Sequence, residues 1–309
     1  MSSIITITLN PAIDKSVTVP SLVPDKKMRC SQPIFEPGGG GINVARAVHK
    51  LGGEARAAYF AGGYTGKFFT QLLEKEGISP LVTEIGGHTR ENLVVLDKAA
   101  NQQYRFVMPG PVLKESEWRS LLTGLEDLPA ISYIVFSGSV PEGIEPAFFS
   151  GLSAWAKKIK ARLIVDSSGI ALRQSIAEGV YLIKPNLGEL SGLAGKERIE
   201  LHEIPAIARR FITGKQCEVI IVSMGATGAM LITREDVYQV TAPLVERKST
   251  VGAGDSMVAG IVMSLLNGKS LRSATEYGVA AGTAATLNPG TELCRLSDTE
   301  NIYRRIHQA

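Results

Sequence analysis

The sequence predicts an α/β fold with a mainly parallel central sheet flanked by helices and a small β-sheet lid. Short apolar runs rich in β-branched residues alternate with segments of helical periodicity, which is the pattern of repeated β-α-β units. Residues 15–36 and 90–108 break this alternation with strand-like runs that have no helix between them. Because 309 residues can bury one large core, we expect residues 1–309 to form a single domain, with the two interrupting segments as its lid.

The alternating runs give the order of the main elements. Strand-like runs cover 4–10, 55–63, 131–139, 162–168, 180–186 and 217–225, helical runs cover 42–53, 66–77 and 147–160, and a charged terminal helix is expected over 291–309. Several strand-like runs end in polar or glycine residues, as in "FSGS", "VDSS", "KPN" and "VSMG". Because open α/β sheets bind ligands beyond the carboxyl ends of their strands, these endings predict where a cleft lies.

The lid segments contain four strand-like runs, "KSVTVP", "MRCSQPIFEP", "RENLVVLD" and "NQQYRFVMPG". The last two flank "KAAN" and predict a hairpin. A sheet of this size cannot bury both of its faces against its own core, so we expect one face to cover a substrate and the other to form a homodimer interface. The apolar candidates for the second face are Val17, Val19, Ile34, Val94 and Phe106.

Composition excludes several functional classes. The chain is 44% hydrophobic and 20% charged, and no apolar run reaches the roughly 18 residues of a membrane span. No signal peptide is recognisable, so we expect a cytoplasmic protein. The net charge of +3 is spread along the chain, which argues against a nucleic-acid partner. The cysteines Cys30, Cys217 and Cys294 are odd in number and far apart, which fits neither a disulfide framework nor a CxxC metal site.

The stretch "STVGAGDSMVAGIVMSLL", residues 249–266, predicts an anion site followed by a buried helix that begins at about Ser256. The first amides of a helix have no intrahelical partner, so Gly252, Ala253 and Gly254 can offer N–H groups to a phosphate. Asp255 could simply cap the helix. Beside an anion site it could also accept the proton of an attacking hydroxyl during phosphoryl transfer, which is the role we favour.

Two other glycine-rich stretches invite nucleotide-binding interpretations, and both fail. "GGYTGKFF" at 62–69 has the wrong glycine spacing for a P-loop and carries Phe68 in place of the Ser or Thr that binds magnesium. "EPGGGGINVARAVHKLGG" at 36–53 follows Glu36 and Pro37 instead of a buried strand end, which disfavours a dinucleotide loop. What remains is a helix start at which a ligand can approach the backbone, because a packing turn alone would need fewer glycines than residues 38–41 supply.

Three of the basic residues in the lid segments are candidates for binding a ligand: Lys27, Arg90 and Arg105. A single arginine on an edge strand is usually solvated and has no specific role. Three such cations in the same lid instead suggest that the substrate already carries a phosphate. A guanidinium group can donate two parallel hydrogen bonds to two oxygens of one phosphate.

The chain resembles the PfkB, or ribokinase-like, carbohydrate kinases. The segments "STVGAGDSMVAG" and "PGGGGINVARAVHKLGG" are similar to the two signatures of that family, and "TLNPAID", "QYRFVMPG", "SGSVPEG", "VDSSG" and "KPNLGEL" extend the likeness over essentially the whole chain. The resemblance implies a ribokinase-like fold and an enzyme that uses ATP and Mg²⁺, with K⁺ as a further ion.

The resemblance also implies roles for individual residues. Asp255 corresponds to the general base, and Gly252, Ala253 and Gly254 to the anion hole. The sugar-phosphate side corresponds to Asp14, Lys27, Gly39, Gly40, Asn43, Arg90, Arg105 and Ser139. The nucleotide side corresponds to Lys184, Asn186, Glu189, Ser223, Gly225, Gly228, Val279 and Thr283, of which Asn186 and Glu189 belong to the magnesium-linked motif. The potassium ligands would be backbone carbonyls of Ser249, Val251, Ala285, Asn288 and Gly290.

Within the family, the motifs imply phosphorylation of a ketohexose phosphate, with fructose 6-phosphate converted to fructose 1,6-bisphosphate as the leading expectation. Phosphorylation of tagatose 6-phosphate or of fructose 1-phosphate is the alternative, since these sugars differ from the first by one stereocentre or by the position of the phosphate. A protein of another class, a sugar-phosphate sensor that has lost turnover, would share the fold. The intact "VGAG", Asp255 and "NLGE" argue against the sensor.

Overall fold

The central sheet has nine strands in the part of the chain that a computed structural model describes, residues 4–128 and 130–308. In spatial order these strands are β13 (Val237–Val240), β12 (Ala229–Ile232), β11 (Cys217–Ser223), β10 (Val180–Ile183), β9 (Arg162–Asp166), β8 (Tyr133–Ser137), β1 (Ile4–Thr8), β4 (Arg56–Ala61) and β5 (Ser79–Glu84). Only β12 runs antiparallel to its neighbours among these strands. The predicted mainly parallel sheet is therefore confirmed.

Helices cover both faces of this sheet, as the sequence predicts. They are α1 (Gly40–Lys50), α2 (Gly63–Lys75), α3 (Glu115–Glu126), α4 (Pro146–Lys158), α5 (Gly169–Ala177), α6 (Leu187–Ala194), α7 (Ile204–Thr213), α8 (Ala253–Leu266), α9 (Leu271–Ala285) and α10 (Leu296–Gln308). Successive side chains of a strand point to opposite faces, so Val135 of β8 packs in one core and Phe136 in the other. The first core includes residues of α1, α2, α8, α9 and α10, and the second includes residues of α3 to α7.

The last helix, α10, corresponds to the charged helix expected over 291–309, although residue 309 lies outside the described part of the chain. It begins at Leu296, because the loop before it turns back towards the start of α8. Over the described residues, no helix is long and apolar enough to cross a membrane. Cys30 is exposed, whereas Cys217 and Cys294 are buried, and all three are free thiols.

The lid is a four-stranded sheet in the order β3 (Ile34–Gly38), β2 (Ala12–Val19), β6 (Arg90–Asp97) and β7 (Gln102–Phe106). Strand β2 is antiparallel to β3 and parallel to β6, and β6 and β7 form the predicted hairpin. The strand expected from Met28 begins only at Ile34. Pro33, which has no N–H group to donate, directly precedes that strand.

The prediction that five apolar lid residues share one free face is wrong. In the strand register, Ser16 lies opposite both Ile34 and Val94, so Val17 points to the other face. Val17 and Val19 are buried in a small cluster with Val95, covered partly by the loop that follows β2. Alternation along a strand can be read from the sequence, but the register that assigns each residue to a face depends on the neighbouring strands.

The exposure of these five lid residues also differs from the prediction. Val94, on the face opposite to Val17, is also buried within the chain. Of the five, only Ile34 and Phe106 remain substantially exposed, at 63% and 47%. An interface between two copies would therefore have to combine one of these two with other exposed apolar residues of the lid.

Candidate active site

Packing accounts for all four glycines of residues 38–41. A Cβ atom on Gly40 would lie 2.4 Å from Ser137 Oγ and 2.5 Å from the Gly138 nitrogen, and Gly39 has a φ of 120°. A Cβ on Gly38 would lie 2.2 Å from Asp14 Oδ2, and a Cβ on Gly41 would lie 2.5 Å from Thr8 Oγ1. The expectation that packing alone would need fewer glycines is wrong, because this turn is pressed against the carboxyl ends of β1 and β8.

The turn starts α1 and places Asn43 opposite a carboxylate of α8. Asn43 Nδ2 donates a hydrogen bond to Asp255 Oδ2 at 3.0 Å. These two residues are 212 positions apart, so this contact joins the two glycine-rich segments of the chain. The base proposed from one segment and the sugar-binding asparagine implied for the other therefore belong to one site.

Asp255 lies inside the first turn of α8, which begins at Ala253 and not at about Ser256. The residue before the helix is Gly252, whose φ of 71° favours glycine, and no side chain caps it. The alternative that Asp255 caps the helix is therefore wrong. Gly252, Ala253 and Gly254 supply the first amides of the helix, as the sequence predicts for an anion hole.

The environment of Asp255 raises its pKa to about 7, from an ordinary value of 3.8. Burial is the largest cause, and the nearby charge of Asp166 adds to it. The hydrogen bond from Asn43 and the charge of Lys184 act in the opposite direction. A carboxylate with a pKa near neutrality can accept a proton and release it again at neutral pH, which is the property of a general base.

Lys184 joins the anion hole to the end of the sheet. Its Nζ lies 3.1 Å from Asp166 Oδ1, and its side chain is 5% exposed. Burial alone would lower the pKa of Lys184, but the adjacent carboxylate of Asp166 reverses this and keeps the pKa above its ordinary value. A Cβ placed on Gly254 would be 3.6 Å from the same Nζ, so a permanent positive charge borders the anion hole.

Sequence reasoning missed Asp166. It is the last residue of β9, and Lys184 directly follows β10, the neighbouring strand. The signal was present, since "VDSS" is one of the polar strand endings that predict the cleft. The endings alone do not indicate which of their side chains pair, because the order of strands in the sheet decides that.

A cavity of about 360 Å³ lies beside the anion hole. Six of the residues implied for the nucleotide side line it: Asn186, Ser223, Gly225, Gly228, Val279 and Thr283. Ala253 and Gly254 also line it, so the cavity opens onto the N-terminus of α8. A concave, largely apolar pocket that ends at free helix amides suits a nucleoside with a phosphate chain.

Asn186 and Glu189 have a structural role at the start of α6. Asn186 Oδ1 accepts a hydrogen bond from the Glu189 nitrogen, and Glu189 Oε2 accepts one from the Asn186 nitrogen, both at 2.8 Å. This is a reciprocal capping box. Burial raises the pKa of Glu189, and the hydrogen bond from the Asn186 nitrogen acts in the opposite direction.

Among the described residues, no group of three or more His, Cys, Asp or Glu could hold a metal ion. Mg²⁺ in kinases is usually held by one or two carboxylates together with substrate phosphates. Asp166 and Glu189 are close enough for the charge of Asp166 to raise the pKa of Glu189. The donor set therefore fits Mg²⁺ that binds together with a nucleotide.

Four of the five residues implied for K⁺ lie on two loops that contact each other, and the fifth, Ala285, is the last residue of α9. Ser249 Oγ donates to the Gly290 carbonyl at 2.6 Å, and the Lys248 nitrogen donates to the Thr286 carbonyl at 2.8 Å. Asn288 is buried next to them, and its side chain bonds the Leu293 carbonyl. Loops that gather backbone carbonyls beside the start of α8 fit the oxygen ligands that K⁺ requires.

On the sugar side, Asn92 Nδ2 donates to Asp14 Oδ1 at 2.8 Å. Burial raises the pKa of Asp14, and this hydrogen bond lowers it. Arg90 donates to the backbone carbonyls of Asn10 and Met108, both at 3.0 Å. Its Nε is buried and has no hydrogen-bond acceptor within the described chain.

Three further predicted residues surround this part of the cleft. Ser139 Oγ accepts a hydrogen bond from Asn10 at 3.2 Å. Arg105 lies on the same face of the lid as Asp14, in line with Ser16, which is two residues after Asp14. Its side chain is exposed and donates hydrogen bonds to Gln103. Lys27 lies in the exposed loop between β2 and β3, and no hydrogen bond or ion pair of the described residues joins it to the site.

The comparison with protein families agrees with this geometry. Residues 4–298 match the model of the pfkB family carbohydrate kinases. The chain belongs to the PfkB family of carbohydrate kinases.

Known relatives of this PfkB kinase are similar over nearly the whole chain. It is 43% identical to ATP-dependent 6-phosphofructokinase isozyme 2 of Escherichia coli K12, over 98% of each chain. It is 32% identical to a 1-phosphofructokinase of Borreliella burgdorferi, over 98% of this chain and 97% of that one.

Solved structures show the same likeness in three dimensions. Phosphofructokinase-2 of Escherichia coli in complex with potassium has a TM-score of 0.95 and 42% identity, over 99% of this PfkB kinase and 100% of that chain. The tetrameric inhibited form of the same protein has a TM-score of 0.93 at 42% identity, with the same coverage. The ribokinase-like fold is therefore confirmed.

The substitution Asp255→Asn tests the assigned base. Asparagine keeps the shape of the side chain and can still accept the hydrogen bond from Asn43, but it cannot take a proton from a hydroxyl. We expect kcat to fall by about 10²–10⁴, the usual contribution of a positioned proton acceptor.

The same variant should be more stable than the wild type at pH 8. The fold raises the pKa of Asp255 from 3.8 to about 7, so it disfavours the ionised carboxylate, and this cost is fully present above pH 7. Asparagine avoids it. Calorimetry should therefore give Asp255→Asn the higher Tm at pH 8, with the difference shrinking as the pH falls from about 7 towards 4.

For the kinetic prediction, an Asp255→Asn protein that keeps more than about half of the wild-type kcat would exclude Asp255 as the base.

Proposed function

We propose that this kinase transfers the γ-phosphoryl group of ATP to the C1 hydroxyl of fructose 6-phosphate, giving ADP and fructose 1,6-bisphosphate. The hydrogen bond between Asn43 and Asp255 carries this proposal, because it places the sugar-binding turn and the anion hole around one carboxylate. Asp255 accepts the proton of the hydroxyl as the new bond from oxygen to phosphorus forms. The bond between the γ-phosphorus and the bridging oxygen breaks, and ADP leaves with that oxygen.

Charge on the transferring group would be stabilised from two sides. The amides of residues 252–254 face it from the start of α8, and the ammonium of Lys184 borders the same position. Mg²⁺ held by Asp166, Glu189 and the nucleotide phosphates would neutralise further charge. We assign K⁺ to the carbonyls of the two loops beside the anion hole, an assignment supported by the potassium complex of the Escherichia coli relative.

On the sugar side, we assign Asp14, Gly39, Gly40, Asn43 and Ser139 to the hydroxyl groups. We assign Lys27, Arg90 and Arg105 to the phosphate that the substrate already carries. The unpartnered Nε of Arg90 supports this, since a buried N–H group requires an acceptor. ATP and sugar phosphates are metabolites of the cytoplasm, where we place the reaction.

A 1-phosphofructokinase is the second candidate, because one relative with that activity is 32% identical over 98% of this chain. It would bind the phosphate at the other end of the same sugar, and tagatose 6-phosphate would differ by one stereocentre. The non-catalytic sensor is disfavoured by the pKa of Asp255. A carboxyl with a pKa of about 7 beside an anion hole suits a general base.

A substrate panel tests the proposal. Purified protein is assayed for ADP release with ATP, Mg²⁺, K⁺ and each of fructose 6-phosphate, fructose 1-phosphate, tagatose 6-phosphate and fructose. We expect the highest kcat/KM with fructose 6-phosphate. A higher kcat/KM with fructose 1-phosphate would replace the proposed reaction with the second candidate, and tight binding without ADP release would establish the sensor.

The substitution Arg105→Ala tests whether the lid binds the phosphate of the sugar. Its hydrogen bonds go to Gln103 on its own strand, so its loss should leave the sheet intact. We expect KM for fructose 6-phosphate to rise about tenfold and KM for ATP to stay within about twofold, because only one ligand loses a partner. A rise confined to ATP would show that the lid serves the nucleotide.

We also propose that the lid joins two copies of the chain in a homodimer. Apolar side chains on and just beyond the edge strand β7 are exposed: Tyr104 (39%), Phe106 (47%), Val107 (66%) and Met108 (45%). An unpaired edge strand with apolar side chains is prone to association, and a small isolated sheet is marginally stable in water. The tetrameric form of the Escherichia coli relative supports self-association.

Light scattering at micromolar concentration should give about twice the chain mass of 33.0 kDa. Phe106→Asp should shift the mass towards the monomer, because a charge would be buried in the interface. The matched control is Ile170→Asp, since Ile170 is 74% exposed on α5, which packs against α4, α6 and β9. A wild-type protein of single chain mass, or equal masses for both variants, would reject this interface.

A further inference from the structure

Arg46 is a buried cation that the proposed reaction does not use. It lies on α1, and its side chain is 5% exposed. Its Nε and Nη2 donate to the two oxygens of Glu76 at 2.7 and 2.8 Å, which is a bidentate ion pair. Its Nη1 points the other way and donates to the Pro37 carbonyl at 2.9 Å and to Asn43 Oδ1 at 3.4 Å.

The contact with Asn43 matters because an amide has two different ends. A guanidinium group has only donors, so the end of Asn43 that faces Arg46 must be the oxygen. An ionised carboxylate has only acceptors, so the end that faces Asp255 must be the nitrogen. Arg46 and Asp255 therefore select the same orientation of the amide from opposite sides, with the first contact at 3.4 Å and the second at 3.0 Å.

We propose that Arg46 is a positioning residue, which fixes the amide of Asn43 so that Nδ2 is held against Asp255. Glu76 in turn fixes the plane of the guanidinium through its two hydrogen bonds. The Pro37 carbonyl ties the same cation to the strand that leads into the glycine turn. A single buried side chain thus aligns the turn, the sugar-binding asparagine and the general base.

This inference rests on the proposed function, since it concerns the base of that reaction. Without Arg46, the Asn43 oxygen loses its donor and the amide can rotate. The rotated amide would present its oxygen to Asp255, and whenever Asp255 is ionised, as a base must be, the two acceptors would repel each other. The charge of Arg46 also lowers the pKa of Asp14, an effect that does not depend on Asn43, so the inference concerns the part of the effect that passes through Asn43.

A purely structural role predicts a different result. Removal of one partner from a buried ion pair destabilises a protein strongly, whatever its neighbours do. Lower stability reduces activity through the folded fraction, and that loss is equal or larger in a background that is already less stable. An effect that passes through Asn43 disappears once the amide is gone, and this difference can be measured.

The test is a double-mutant cycle of Arg46→Met and Asn43→Ala, read as kcat/KM on the best substrate of the panel, so the result does not depend on which sugar that is. We expect Arg46→Met to lower kcat/KM about tenfold in the wild-type background and about twofold or less in Asn43→Ala. The contact with Pro37 is lost equally in both backgrounds and cancels. KM for ATP should stay within about twofold throughout.

Leu152→Ala provides the control for lost stability. Leu152 lies in the second core, on α4, so its truncation leaves a cavity far from Asn43. It should lower kcat/KM in Asn43→Ala by a factor at least as large as in the wild-type background. An equal or larger factor for Arg46→Met in Asn43→Ala would overturn the inference.

Arg46→Lys carries the same cycle if Arg46→Met fails to fold. Lysine keeps the charge beside Glu76 but cannot reach opposite acceptors with a planar fork. We expect a smaller loss than with methionine and the same dependence on Asn43. A lysine variant whose loss persists unchanged in Asn43→Ala would again contradict the positioning role.

Discussion

The hydrogen bond from Asn43 to Asp255 is the contact on which the site depends. It joins the first turns of α1 and α8, which come from distant parts of the chain and pack in the same core. Both turns require glycines, one for close approach to the sheet and the other for a positive φ. The fold therefore brings two stretches of free helix amides to one carboxylate, and phosphoryl transfer needs acceptor, donor and base in one place.

Opposing interactions set the pKa of the Asp255 carboxyl. Burial and the charge of Asp166 raise the pKa of Asp255, while Asn43 and Lys184 lower it, and the result is about 7. Burial without Asn43 and Lys184 would leave the carboxyl protonated at neutral pH. Full exposure to solvent would leave it too weak a base. The proposed base is thus held in an environment that costs stability, which is a common compromise at active sites.

Much of the fold and part of the site could be predicted from the sequence. The β-α-β rhythm, the lid hairpin and the anion hole follow from local patterns, and resemblance to the family indicated six residues that line the nucleotide cavity. The pairs Arg46–Glu76 and Asp166–Lys184 could not be predicted, because their partners meet only when separate elements pack. The face of the lid on which Val17 lies was also beyond reach, since strand register decides it.

The most direct measurement is the titration of the Asp255 carboxyl itself. In protein labelled with ¹³C at the aspartate carboxyl carbons, the resonance absent from Asp255→Asn identifies this group. Recorded without substrates between pH 4 and pH 9, it is free of the titration of sugar and nucleotide phosphates. The account predicts a midpoint at about pH 7, and a midpoint near the ordinary value of 3.8 would contradict it.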